Sequence, residues 1–232
     1  MDVTNPNQSG LPAQTGGWKK GFFISLLVFG LSFLYAFVRY NIVRNVPLEQ
    51  IPLFIANKAI ALSALIIIGL SFVLGPLARF WPQIFDSKLY LRKPLGVLGF
   101  GTAALHSLIS LAILSPAYYP RFFDLGGKMN FIGETSLLFG VLAFLVFSAV
   151  SIASVPAIEE RMKPGHWKSV QRLGYLAYFF TLLHVAIMGF KGWFDPASYQ
   201  YGLISITLIS SLFIILVFLL RILAAAVKNK NE

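Results

Sequence analysis

The stretch QRLGYLAYFFTLLHVAIMGF (171–190) decides the fold. From Leu173 to Phe190 it contains no Asp, Glu, Lys or Arg, and a single histidine sits within it. As a helix rising 1.5 Å per residue, it approaches the ~30 Å thickness of a bilayer core. Lipid offers no partner to exposed backbone groups, so such a run must satisfy its own and be helical. Five further runs of the same character lie at roughly 21–38, 59–78, 94–115, 135–158 and 201–222. None carries Asp, Glu or Lys in its central part. The expected fold is all-α: a polytopic membrane protein built as a six-transmembrane-helix bundle.

Composition agrees. The chain has 232 residues, 57% hydrophobic and 12% charged, with mean hydropathy +0.74. Soluble domains are nearer 45–50% apolar and about 25% charged, so an ordinary soluble enzyme and a disordered chain are both excluded. The absence of cysteine excludes disulfides, thiolate zinc or iron–sulfur sites, covalent c-type haem attachment and a cysteine nucleophile. A net charge of +10 raises the question of nucleic acid. No nucleic-acid-binding motif is present, and Lys and Arg fall mostly between the apolar runs, where anionic headgroups lie. The lipid bilayer is the expected partner and nucleic acid is not.

Residues 1–17 are polar and read as a flexible N-terminal tail. They do not form a signal peptide, because Lys19 and Lys20 come only at their end and the following run is longer than an h-region. The membrane domain spans 18–223, and 224–232 reads as a short C-terminal tail. Thirteen Lys and Arg fall in the tails and in the 79–93 and 159–172 loops, against six on the other side. By the positive-inside rule both termini are cytoplasmic.

His106 and His184 are the only ionisable residues, Tyr aside, near the middle of any run. A polar group at such depth is costly and marks a functional site by default. His106 lies 13 residues after Lys93 and His184 lies 12 after Arg172. Both are therefore about 18–20 Å from their cytoplasmic anchors, at one level displaced toward the outer leaflet. Two imidazoles at one depth on two helices can ligate one haem iron from opposite faces. Gly99 and Thr102, on the His106 face, and Thr181, before His184, supply the small residues a haem slot requires. Gly174, ten residues before His184, adds another. The competing reading is two histidines hydrogen-bonding between helices. A zinc or copper site lacks a third ligand at that depth. Met188, one turn after His184, is better read as packing than as a ligand.

The cytoplasmic loops bring Arg79, Arg92, Lys93, Lys168 and Arg172 toward one face of such a bundle, with Gln171 beside them. That cluster suits a flavin phosphate or an acidic redox partner; the positive-inside signal explains it equally. His166, beside Trp167, reads as an interfacial residue. The outer loop SPAYYPRFFDLGGKMNFIGE (115–134), with Arg121 and Lys128, reads as an aromatic belt or as a cover for an outer redox site. Glu134 favours a helix N-terminus.

The segments GPLARFWPQIFDSKLYLRKPLGVLGFGTAALHSLI (75–109) and HWKSVQRLGYLAYFFTLLHVAIMG (166–189) resemble the ferric reductase-like transmembrane domain. The features are PLAR closing the second run, a basic loop, R-x-P-L-G opening the third, and then His106. W-x-x-x-x-R-L-x-Y-L leads to His184, 17 residues after Trp167. The resemblance covers roughly 59–190 and is nearest the single-domain bacterial branch. That branch includes the haem-binding membrane subunit of the periplasmic methionine sulfoxide reductase system. It implies six helices, b-type haem and electron transfer across a bacterial inner (cytoplasmic) membrane. Members with two stacked haems carry a second histidine about thirteen residues before each ligand. Gln171 and Lys93 stand at those positions here, so one haem b is expected. The six-transmembrane metalloreductases, which also hold one haem, place a flavin in the inner half.

The functional expectation is a membrane b-type cytochrome and electron-transfer subunit of an oxidoreductase. With His106 and His184 saturating the iron, outer-sphere electron transfer is favoured over oxygen binding. No G-x-G-x-x-G opens a helix after a strand, so electrons come from a separate flavoprotein, from bound FMN or FAD, or from quinol. They leave to an outer-side acceptor: a partner reductase, a ferric chelate or oxygen. The alternative is a non-redox transporter or assembly protein whose two histidines only pack helices.

Overall fold

The computed structural model describes residues 11–230, and among them regular structure is helical apart from one isolated β-bridge, Phe123 to Met129. The main helices are α1 (Leu11–Phe37), α2 (Ala56–Phe80), α3 (Arg92–Ala112), α4 (Phe131–Ile152), α5 (Pro164–Trp193) and α6 (Ile206–Lys230). With their helical extensions they give six helices long and apolar enough to cross a membrane. The chain is thus an all-α, multi-pass integral membrane protein.

The ends of the helices differ from the apolar runs, for local reasons. Helix α1 begins at Leu11, inside the stretch read as tail; positions 1–10 of that tail lie outside the described residues. It continues past Phe37 through a π-helical turn, Val38–Val43, and the chain reverses at Asn45 with φ 52°. Asparagine tolerates that left-handed conformation. Helix α4 stops at Ile152 instead of 158, because Pro156 opens a separate short helix, Pro156–Glu159, in a new direction. Asn130 caps its start by accepting from the Gly133 amide at 3.0 Å. Helix α6 begins five residues after 201, because Tyr201 and Gly202 turn the chain at φ 53° and 74°. It then runs to Lys230, so the stretch read as a C-terminal tail is helical up to that residue.

Helix α2 is the axis of the bundle. Within its most apolar window 61% of residues are buried, against 11–28% in the other five spans. It packs on α1, α3 and α6, while α4 and α5 pair with each other and α6 joins α5. The main core draws Leu65 and Ile68 from α2, Phe147 from α4, Ala177 and Tyr178 from α5, and Ile214 and Val217 from α6. Tyr178 is 0% exposed, and its hydroxyl donates to the Leu65 carbonyl at 3.0 Å. Gly69 makes that crossing possible: a Cβ there would stand 2.5 Å from the Tyr178 oxygen. In an apolar environment this tie satisfies a hydroxyl that would otherwise cost several kcal/mol.

A candidate paired-histidine site

Helices α3 and α5 belong to different packing pairs, α2–α3 and α4–α5, and each pair supplies one histidine with its anchor. On α3, His106 Nδ1 lies 2.8 Å from Asn57 Oδ1, at the start of α2. Asn57 spends its amide donors on Ser110 Oγ at 2.8 Å and on the Tyr119 hydroxyl at 3.2 Å. With Nδ2 so committed, Oδ1 is the acceptor, and His106 Nδ1 must carry the proton. Asn57 is itself buried, 2% exposed. Tyr119 comes from the loop between α3 and α4. Burial raises its pKa above the ordinary tyrosine value, so the hydroxyl stays protonated.

The second histidine repeats the arrangement with a backbone acceptor. His184 Nδ1 lies 2.7 Å from the Ser136 carbonyl on α4, which can only accept, so Nδ1 again donates. The Ser136 hydroxyl contacts the same ring and the His184 carbonyl, both at 3.2 Å. The ring rests on Gly140, where a Cβ would stand 3.0 Å from Nδ1. Ser136 and Gly140, one turn apart, form the small-residue seat that lets the imidazole pack against α4.

Both imidazoles therefore have Nδ1 tied to a neighbouring helix and Nε2 unprotonated, with no hydrogen bond to Nε2 among the described residues. The two rings are within electrostatic range of each other. Nδ1–H bonded to an oxygen with Nε2 bare is the arrangement of a metal-ligating histidine. Among the described residues no three of His, Cys, Asp and Glu gather where they could hold a metal ion. Two imidazoles alone would suffice for a haem iron and would fall short of the four-ligand set of structural zinc. The cross-helix hydrogen bonds of the competing reading are present too, yet they occupy only one nitrogen of each ring.

The sequence-expected slot residues behave differently. Gly99 is buried against α2, where a Cβ would meet Ile68 Cγ1 at 2.6 Å and its amide nitrogen at 2.9 Å. It serves the α2–α3 contact, not an opening between α3 and α5. The Thr102 and Thr181 hydroxyls donate to the Leu98 and Ala177 carbonyls of their own helices. Asn57, Ser136 and Gly140 were missed. Asn57 lies just before the apolar run that begins at 59 and so reads as interface. Ser136 and Gly140 carried a signal, the small-x-x-x-small spacing.

At the opposite end, the basic residues do not form one cluster. Arg79 donates to the Ala224 carbonyl of α6 at 3.1 Å. Lys93 pairs with Glu159 at 2.5 Å. Gln171 donates to the Val150 carbonyl and to Ser154 Oγ on the α4 end, at 3.3 and 3.0 Å. Arg92 contacts the Ser71 carbonyl at 3.4 Å and lies within electrostatic range of Tyr175 on α5, as does Arg221. Lys168 and Arg172 are exposed. A cleft of about 380 Å³ opens here between Trp18, Tyr90, Lys93, Val97, Ser151 and Ser154. Of the expected donor-site residues it takes in Lys93 alone.

The family described as ferric reductase like transmembrane component matches residues 58–183. The matched segment is more than half of the chain, includes His106 and stops one residue before His184. Metalloreductase STEAP2 of Mus musculus is 26% identical over 215 residues, covering 79% of this chain and 44% of its own length. Metalloreductase STEAP2 of Homo sapiens is 25% identical with the same coverage. Metalloreductase STEAP3 of Rattus norvegicus is 25% identical, covering 77% of this chain and 44% of its own. The chain thus spans less than half the length of these relatives.

Proposed function

The chain belongs to the ferric reductase-like transmembrane family, and from that premise we propose that it is a b-type membrane cytochrome with one haem between His106 and His184. Electrons enter at the terminus-bearing end, the cytoplasmic side, from a flavin, a flavoprotein or quinol. They leave at the other end to a partner reductase, a ferric chelate or oxygen. The observation that carries the reading is the pair of Nε2 atoms left bare by the Asn57 and Ser136 anchors. Bound haem b supplies one-electron redox chemistry. The chain's own contribution is to fix two rings, exclude water and hold both Nδ1 protons in place.

A single haem is supported by what stands where a second pair of ligands would be. Gln171 and Lys93 are engaged with Ser154 and Glu159, holding α5 and α3 to the α4 end. The motifs R-x-P-L-G and W-x-x-x-x-R-L-x-Y-L support the further proposal that the chain resembles the bacterial branch of the family and sits in an inner membrane. The test is a reduced-minus-oxidised absorption spectrum of the purified protein, with a pyridine haemochrome ratio near one per chain. A colourless protein would sink the proposal and leave the histidines as packing residues. A ratio near two would sink the single-haem part alone.

A further inference from the structure

A second feature lies away from the histidines, at the terminus-bearing end of α1. A groove of about 430 Å³ runs between α1 and the helical segment Asp86–Leu91, lined by Lys19, Lys20, Phe23, Ile24, Lys88, Tyr90 and Leu91. Its walls are held at a fixed spacing. Gly17 lets α1 approach Tyr90, since a Cβ there would stand 3.1 Å from the ring, and Gly21 does the same against Pro94 at 2.8 Å. Lys20 Nζ lies 5.7 Å from the centre of the Tyr90 ring, a cation–π contact across the groove.

The lining is ordered by depth. Lys19 and Lys20 precede Phe23 and Ile24 by one turn of α1, so the two cations lie nearer the helix start and the two apolar residues nearer the middle of the membrane span. Leu91 continues the apolar wall below Lys88 on the facing segment. No carboxylate lines the groove. Three ammonium groups above an apolar trough complement an anionic headgroup with an acyl chain beneath it. We propose that this groove is a binding site for one anionic phospholipid, its phosphate held by Lys19, Lys20 and Lys88 and its acyl chain laid along Phe23, Ile24 and Leu91.

Native mass spectrometry of the detergent-solubilised protein, delipidated and then titrated with phosphatidylglycerol or phosphatidylcholine, tests this. One phosphatidylglycerol should remain bound at collision energies that strip phosphatidylcholine. The variant K19Q/K20Q/K88Q should weaken that retention at least tenfold. The control R161Q/K163Q, which removes positive charge from the same membrane face outside the groove, should not. Should the triple variant purify poorly, K20Q and K88Q taken singly should each give a partial loss. Equal retention of the two lipids, or unchanged retention in the triple variant, would overturn the site and leave the lysines as topology signals.

Discussion

An imidazole buried in a bundle gains its chemistry from the atom that holds its other nitrogen. Here the two anchors are unequal: His106 leans on a side-chain amide, His184 on a backbone carbonyl. Only the first can be removed by mutation without disturbing a helix. Replacing Asn57 with Leu should therefore leave the fold intact and lower haem affinity about 10- to 100-fold, the usual consequence of deleting such a partner. Haem titration of the apoprotein followed by absorbance measures it, and unchanged affinity would show that His106 needs no anchor. Replacing His106 or His184 with Ala should abolish stable haem binding, while His166→Ala should leave the spectrum unchanged. Gly140→Leu should act like the ligand variants, because the added side chain occupies the space of the His184 ring. The histidines were legible from depth arithmetic, since an ionisable residue in an apolar run stands out. Their anchors were not, because Asn57 and Ser136 sit where polar residues are ordinary and only the packing of α2 on α3 and α4 on α5 makes them partners.

At the scale of elements, the six helices follow directly from the apolar runs, whereas which helix is central does not. Every run is apolar all round, so no periodic stripe marks the buried face of α2. What distinguishes α2 is small residues placed where another helix crosses, such as Gly69 beneath Tyr178. Phe72 stacks on Tyr175 at 4.6 Å and meets the Tyr178 ring edge-on at 5.4 Å, so α5 is held to α2 through two aromatic contacts. Tyr178→Phe removes only the hydroxyl and its bond to Leu65, which predicts a loss of about 1 kcal/mol. For a chain of this size that corresponds to a fall in melting temperature of roughly 2–4 °C. Gly69→Leu should cost far more, since its side chain meets both the Tyr178 oxygen and the Phe213 ring. Thermal unfolding in detergent, followed by circular dichroism, separates the two. Equal melting temperatures would mean that α5 is held by other contacts. Helix ends were the least legible feature, as each is set by a single local residue, Asn45, Pro156 or Gly202.

For the whole molecule, the proposed haem level and the proposed donor side are separated by most of the bundle. The anchors Lys93 and Arg172 lie about 18–20 Å along their helices from His106 and His184 at 1.5 Å per residue. A direct jump over that span from a docked donor would be slow, so a flavin or quinone is expected to bridge it. The positive charge expected to receive such a group is distributed around the rim. Arg79 and Lys93 are already engaged, with the Ala224 carbonyl and Glu159. The Arg92 side chain contacts the Ser71 carbonyl at 3.4 Å and lies within electrostatic range of Tyr175, and Arg172 is exposed. Of Arg79, Arg92 and Arg172, the last two have charge to offer an incoming phosphate or an acidic partner. The double variant R92Q/R172Q should keep the fold and the haem content, because neither residue touches the histidine site. It should slow haem reduction by an added flavoprotein donor, and the slowing should shrink as salt is raised, since exposed charges are screened beyond about 10 Å at 0.1 M. Stopped-flow absorbance in nanodiscs at two ionic strengths gives both readouts. Unaltered rates with haem content intact would assign Arg92 and Arg172 to membrane topology alone and move the donor site to the cleft beside Lys93 and Ser154.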